Sequence, residues 1–216
     1  MKNFVVAIDG PAGSGKSSIS KLVCSKLGFT HIDTGAMYRA VTLEALKRKI
    51  DVENENEYSF IDEIDVVYKD GKVFLNGEDV SGFIRTSEVT NNASAVSRVK
   101  AVRDKMVDFQ RGCRNYGNIL MDGRDIGTCV LPNAQVKIYL TASSKVRAER
   151  RYKELQEKGV ECNLEDIEKD IIDRDYRDMH REVSPLKQAI DAVLLDSSTL
   201  DIDGVVEKMK EIIQGA

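Results

Sequence analysis

With 216 residues, 42% hydrophobic and 31% charged, the chain has room for one well-buried domain with an insertion and is short for two full domains. Its 32 Lys and Arg against 36 Asp and Glu give a formal net charge of −4, which speaks against a nucleic-acid polymer as partner and leaves small anions held by local arginines. No run of about 18 apolar residues occurs, so no membrane span is expected.

The opening, "MKNFVVAIDG", meets Asp and Gly too early for a signal peptide and reads directly into a buried strand, "FVVAID" (4–9). "GPAGSGKSS" (10–18) follows, and a helical pattern over 15–27 comes after it. The spacing Gly10-x4-Gly15-Lys16-Ser17 between a strand and a helix is a complete phosphate-cradle pattern. Glycines let the amides turn inward toward anionic oxygens, Lys16 reaches the β- and γ-phosphates, and the Ser17 hydroxyl ligates Mg²⁺. A second strand, "FTHID" (29–33), leads into "DTGAMYRAV", where Thr34 suits an N-cap and Arg39 sits early in a helix of about 35–48, near enough to the strand edge to reach a phosphate.

Residues of about 50–92 break the rhythm. An acidic stretch precedes a hairpin with strands near 65–69 and 72–76 turned by Asp70-Gly71, which reads as an insertion on the core sheet. A long amphipathic helical region, 86–115, follows. "NILMDG" (118–123) is a third core strand that places Asp122 at its end, a setting for a second acidic group near Mg²⁺ acting through water. Arg124 and Asp125 follow it in a glycine turn. "VKIYLTA" (136–142) and "AVLLDSS" (192–198) complete five buried runs, with helical patterns at 144–158, 164–181 and 203–214. "KVRAERR" carries Arg147, Arg150 and Arg151, and "DRDYRDMHR" sets Arg174, Asp178 and Arg181 on one helix stripe. Either run alone reads as a solvated charged face. Flanking a helical turn in a phosphate-loop protein, they read as a lid whose arginines close over transferring phosphates.

Strands alternating with helices predict a doubly wound α/β fold with ligands at the carboxyl ends of the strands, which places the phosphate loop, Asp33, Asp122 and the 196–198 turn along one edge. Cys24, Cys113, Cys129 and Cys162 lack metal-ligand spacing and read as reduced thiols of a cytoplasmic protein. His31 and His180 show no partner pattern and receive no catalytic role, and the Tyr and Phe residues read as core. The residues alone leave two classes of reading: a phosphate-loop kinase for a small acceptor such as UMP, shikimate or a coenzyme precursor, and a regulatory GTP-binding switch. The switch needs an N-K-x-D motif, which "LTASSK" and "LLDSST" lack.

Over essentially its whole length the sequence resembles the bacterial-type cytidylate kinases, in "IDGPAGSGKSS", "DTGAMYRA", "NGEDVSGFIRT", "EVTNNASAVSRVKAVR", "DGRDIGT", "ERRYKELQEKG", "RDYRDMHREVSPL" and "LLDSSTL". The resemblance implies a P-loop NTPase core with a five-stranded parallel sheet flanked by helices, a small antiparallel-sheet NMP-binding insertion and a short lid. As one domain over 1–216 it divides into core 1–49, 93–149 and 182–216, insertion about 50–92 and lid about 150–181. It implies transfer of the γ-phosphate of ATP to CMP or dCMP, with Mg²⁺, by a monomer. Carried onto this chain, Gly10, Pro11, Ala12, Gly13, Ser14, Gly15, Lys16, Ser17 and Ser18 form the ATP phosphate site. Ser17 and Asp122 serve the metal. Ser94, Arg103 and Asp125 match cytosine-reading positions. Arg39, Arg124 and Arg181 match contacts to the CMP phosphate, Arg174 and Asp178 match sugar-side or phosphate contacts, and Thr34 stands where serine is also common. Lys16, Arg124, Arg174, Arg181 and the lid's Arg150 form the expected catalytic set.

Overall fold

The computed structural model describes residues 3–216. Its first half runs β1 (Val5–Asp9), α1 (Lys16–Leu27), β2 (Thr30–Asp33), α2 (Thr34–Lys47), β3 (Val66–Lys69), β4 (Lys72–Leu75), β5 (Glu78–Asp79), α3 (Ser87–Val96) and α4 (Lys100–Gly112). The second half adds β6 (Ile119–Gly123), β7 (Val136–Thr141), α5 (Ser144–Glu157), α6 (Leu164–His180), β8 (Val193–Asp196) and α7 (Ile202–Gln214). A five-stranded sheet in the order β2-β6-β1-β7-β8 is parallel throughout. Its strands are the five apolar runs of the sequence, but β8, at the sheet edge, is not buried as expected: Val193 and Leu194 are exposed and only Leu195 is covered.

Period-two alternation decides which core each strand residue enters. Ala7, Ile32, Ile119 and Met121 face one layer with Met37, Val41, Val102 and Met106 of α2 and α4. Val6, Ile8, Leu120 and Ile138 face the other with Ile19, Val23, Val205 and Met209 of α1 and α7. Both faces are therefore covered, as a parallel sheet requires.

The insertion is a small antiparallel sheet, β3-β4-β5. Asp70 and Gly71 both take positive φ, at 52° and 75°, as the tight hairpin turn requires. Asn76 and Gly77, at 51° and 84°, repeat the device between β4 and β5, an Asn-Gly signal present in the sequence and unread there. Tyr68, Val73 and Leu75 join the same apolar cluster as α2 and α4, so the small sheet leans on the main core.

Three local expectations are corrected. The helical region 86–115 is two helices, because the chain leaves the α-helical path between Ser97 and Val99 before α4 begins. Asp33, rather than Thr34, caps α2: its carboxylate accepts from Ala36 N at 2.9 Å, while the Thr34 hydroxyl donates to the Asp122 carbonyl at 2.8 Å. Tyr38, Tyr58, Phe60 and Tyr68 are core, but Phe83, Tyr116 and Tyr176 are exposed.

Candidate active site

The carboxyl ends of β1, β2 and β6 converge where the glycine loop turns into α1. Gly10 is required there by close approach: a Cβ on it would lie 2.0 Å from the Leu140 carbonyl oxygen. Gly15 holds the helix entry at φ 84°, with no side-chain cap and no acidic residue in the first turn of α1, which leaves the helix's first amides free for an anion. Lys16 is buried and folded over its own loop, donating to Gly10 O and Pro11 O at 2.7 Å each and to Ser14 Oγ at 3.2 Å. Burial, reinforced by the nearby Arg124 charge, pushes its pKa well below the ordinary lysine value.

Ser17, on the first turn of α1, donates to Asp122 Oδ2 at 2.7 Å across to β6. The other carboxylate oxygen, Oδ1, meets His31 Nε2 at 2.5 Å. Burial works against the Asp122 charge, but the hydrogen bonds from His31 and Ser17 hold its pKa below the usual carboxylate range. Ser17 and Asp122 bring two hard oxygen donors side by side, and that set fits Mg²⁺, which keeps several waters and phosphate oxygens rather than filling a protein cage. Among the described residues no group of three or more His, Cys, Asp or Glu forms such a cage.

Beyond the loop, three groups of paired charges are assembled from distant segments. Asp125, after β6, accepts from Arg103 Nη2 at 2.5 Å through Oδ2 and from Arg181 Nη2 at 3.3 Å through Oδ1. Arg103, 1% exposed, donates also to Ser97 O at 3.0 Å, and its guanidinium lies 5.5 Å from the centre of the Tyr38 ring. Arg124 donates to Asp178 Oδ2 at 2.9 Å. Arg39 and Arg85 share one oxygen of Asp33, at 3.3 and 3.4 Å. Arg85 was passed over in the sequence, although "GFIRT" lies inside a quoted stretch of the resemblance. The close approach of Thr34 to this turn explains Gly123, where a Cβ would stand 2.6 Å from Thr34 Oγ1.

This cluster is short of negative charge. Burial, followed by repulsion from Arg124, brings the Arg174 pKa down to about 10, and among the described residues Arg174 forms no ion pair. Burial likewise lowers Arg39 and Arg181, each with another arginine, Arg85 and Arg103 respectively, adding to the effect. Buried polar atoms without a partner collect in the same place: Arg39 Nε, Ser94 Oγ, Arg103 Nε and Arg174 Nε. Native interiors seldom leave such atoms unpaired, and donors of this kind amid unpaired arginine charge suit a polar, anionic ligand.

The turn that carries Asp125 is held from below. Asp9, at the end of β1, accepts from Ile126 N at 2.7 Å and Gly127 N at 2.8 Å, and the chain then makes a π-turn in which Leu131 N donates to Ile126 O at 2.7 Å. Burial overrides those two amides and raises the Asp9 carboxyl to about 6.

The lid arginines depart from expectation. Arg147 is buried, donating to Ala142 O at 2.9 Å and Ala12 O at 2.8 Å and pairing with Asp175 at 2.6 Å. Asp175 also accepts from Ala12 N at 3.2 Å, so it clips α6 to the phosphate loop. Arg150, expected in the catalytic set, is instead tied to Ser197, at 2.7 Å to its carbonyl and 3.2 Å to its hydroxyl. Arg151 pairs with Glu154 at the surface, at 2.9 Å. The structure thus gathers Arg39, Ser94, Arg103, Arg124, Asp125, Arg174, Asp178 and Arg181 around one site and leaves Arg150 outside it. Arg181, expected at a phosphate, sits on the Asp125 side.

A parallel sheet with a phosphate loop at its switch edge and a buried arginine cluster facing it defines a phosphate-loop kinase acting on a small anionic acceptor. The cytidylate kinase family model matches residues 6–215, and the chain belongs to that family. It is 52% identical to a cytidylate kinase of Lactobacillus gasseri over 98% of this chain and 95% of that one, and 50% identical to one of Streptococcus pneumoniae over 97% of each. A cytidylate kinase of Acholeplasma laidlawii is 48% identical over the full chain and 97% of its own length. Among solved structures, a shikimate kinase from Bacteroides thetaiotaomicron superposes with a TM-score of 0.52 at 13% identity, over 98% of both chains, a likeness of fold alone.

Proposed function

We propose that this protein transfers the γ-phosphate of ATP to CMP or dCMP, giving ADP and CDP or dCDP, and that it does so as a cytoplasmic monomer. The observation that carries the reading is the set of unpartnered buried atoms, Ser94 Oγ, Arg39 Nε, Arg103 Nε and Arg174 Nε, beside a phosphate loop. Cytosine offers an amino donor at C4 and acceptors at N3 and O2. Ser94 and Asp125 accept from the amino group, and Arg103 donates to the ring. Asp125 retains lone pairs for this, because each of its oxygens carries a single arginine contact. Uracil would set a carbonyl against that carboxylate, a mismatch of about 1–3 kcal/mol.

Arg39, Arg124 and Arg174 hold the acceptor phosphate and the charge of the transferring group, with Asp178 orienting Arg124. The acceptor oxygen is already ionised, so positioning and charge neutralisation carry the rate and no strong base is needed. Phosphates arriving beside Lys16 restore the ammonium charge that burial disfavours, and its three donors then turn from the loop carbonyls to the phosphate oxygens. Mg²⁺, held by the Ser17 hydroxyl and by Asp122 through water, supplies further neutralisation when bound. The insertion (about 50–92) and the 150–181 segment close over the substrates and exclude water. Protection of both segments from hydrogen exchange on adding CMP with a non-hydrolysable ATP analogue supports closure; unchanged exchange argues for a rigid site.

Steady-state phosphorylation of CMP, dCMP, UMP, AMP and GMP by ATP tests the reading. CMP or dCMP should lead in kcat/KM. UMP or a purine nucleotide in first place would overturn it.

A further inference from the structure

His31 is a buried side chain near the phosphate loop that the reading above leaves unused. It lies on β2, opposite Leu120 in the register, while Asp122 stands two residues further along β6 and therefore on the same face of the sheet. Its side chain is 8% exposed, and its Nε2 meets Asp122 Oδ1 at 2.5 Å. Its other ring nitrogen, Nδ1, is buried and finds no partner among the described residues. The ring therefore has one polar anchor, the carboxylate. That carboxylate in turn spends its second oxygen on Ser17.

We propose that His31 is a positioning residue for the metal-nucleotide site: it fixes the rotation of the Asp122 carboxylate, so that Oδ2 stays aimed at Ser17 and at the place where Mg²⁺ and the donor phosphates bind. The inference rests on the kinase reading and deepens it. A carboxylate has two equivalent oxygens and a soft terminal torsion, and Ser17 alone constrains one of them. A donor on Oδ1 removes the remaining freedom and prevents a buried acceptor from standing empty. Partners of this kind, one bond removed from a metal, typically change metal affinity or activity by about 10–100-fold when removed.

The alternative is that His31 merely fills space between β2 and β6. The two roles separate in binding. Affinities for ATP with and without Mg²⁺, and for CMP, are measured by calorimetry on the wild-type protein, His31→Leu and His31→Gln, with kcat and KM for each. His31→Leu should raise the dissociation constant for ATP in Mg²⁺ roughly tenfold, leave that for ATP in EDTA and that for CMP unchanged, and raise the Mg²⁺ needed for half-maximal turnover. His31→Gln, which keeps a donor, should recover most of the loss. An unchanged Mg²⁺-dependence in His31→Leu, or an equal loss for CMP, overturns the proposal. If His31→Leu does not fold, the ring nitrogens of the wild-type protein decide: adding Mg²⁺ to the ATP-bound protein should shift the ¹⁵N resonance of His31 Nε2 and leave His180 in place, and no shift at His31 overturns it. A wild-type protein that binds Mg²⁺ and ATP but does not phosphorylate CMP would count against the kinase reading and leave His31 intact.

Discussion

The two halves of the site are built in opposite ways. The donor half centres on one continuous loop whose lysine is already partnered: Lys16 bonds to Gly10, Pro11 and Ser14, and the Ala12 amide is taken by Asp175 of α6. The acceptor half is drawn from α2, α3, α4, the turn after β6, and α6, and it leaves donors and a hydroxyl unpaired. A loop lysine with three partners costs little to keep folded without its nucleotide. An under-satisfied pocket stores a penalty that a matching ligand removes, so selectivity resides in the acceptor half.

The largest test of this contrast is Lys16→Ala. Losing a preorganised charge at the transferring phosphate should lower kcat by about 10²–10³-fold or more, while CMP affinity measured by calorimetry stays unchanged. Near-wild-type turnover would place the working charge elsewhere.

Asp125→Asn comes next and probes the acceptor half. Because Arg103 and Arg181 both lean on this buried carboxylate, the change should cost about 2–3 kcal/mol of stability in urea unfolding, between one charge-assisted hydrogen bond and a broken buried pair. CMP turnover should fall more than UMP turnover, since an amide can turn its NH₂ toward the uracil carbonyl. Equal loss for both would mean that Asp125 supports the arginines and does not read the base.

Ser94→Ala is the cleaner probe, because Ser94 Oγ has no partner to lose. Stability should hold or rise slightly, while kcat/KM for CMP falls by up to about tenfold, the scale of one hydrogen bond, and UMP is affected less. Loss of stability without loss of selectivity would remove Ser94 from base recognition.

The smallest effect concerns Asp9, which joins the halves by ending the strand before Gly10 and bracing the turn after Asp125. Burial raises its folded pKa to about 6, above the ordinary value of 3.8, so its charged form opposes folding. That penalty is full above pH 6 and relaxes as pH falls through 6 toward 4. Relative to Asp9→Asn, the wild-type protein should therefore gain about 1 kcal/mol on going from pH 7 to pH 5. A pH-independent difference would show that Asp9 does not titrate in this window.

The same contrast explains what the sequence disclosed. The phosphate loop is local, with strand, glycines, Lys16 and Ser17 in consecutive positions, and its motif could be read directly. The five strands were legible because buried parallel strands are continuous apolar runs. Ser94 and Arg103 were reachable only through family resemblance, since no spacing rule links them to Arg39 and Asp125, which their places near strand ends brought to notice. His31 escaped because its partner is 91 residues away on a neighbouring strand, and one histidine carries no pattern. Arg150 shows a related limit of local reading. An arginine run on a helix looks alike whether its members reach a ligand or, as here, tie down the Ser197 backbone.

One helix touches both substrates' territories at once. Asp175 fastens α6 to the phosphate loop, and within the next six residues Asp178 and Arg181 engage Arg124 and Asp125. Asp175 and Asp178 stand about one helical turn apart, roughly 5 Å along a stiff strut, and Arg181 follows as the extended residue that ends α6. Asp175, Asp178 and Arg181 are attached to one rigid piece, so the phosphate loop and the arginine cluster share a single support.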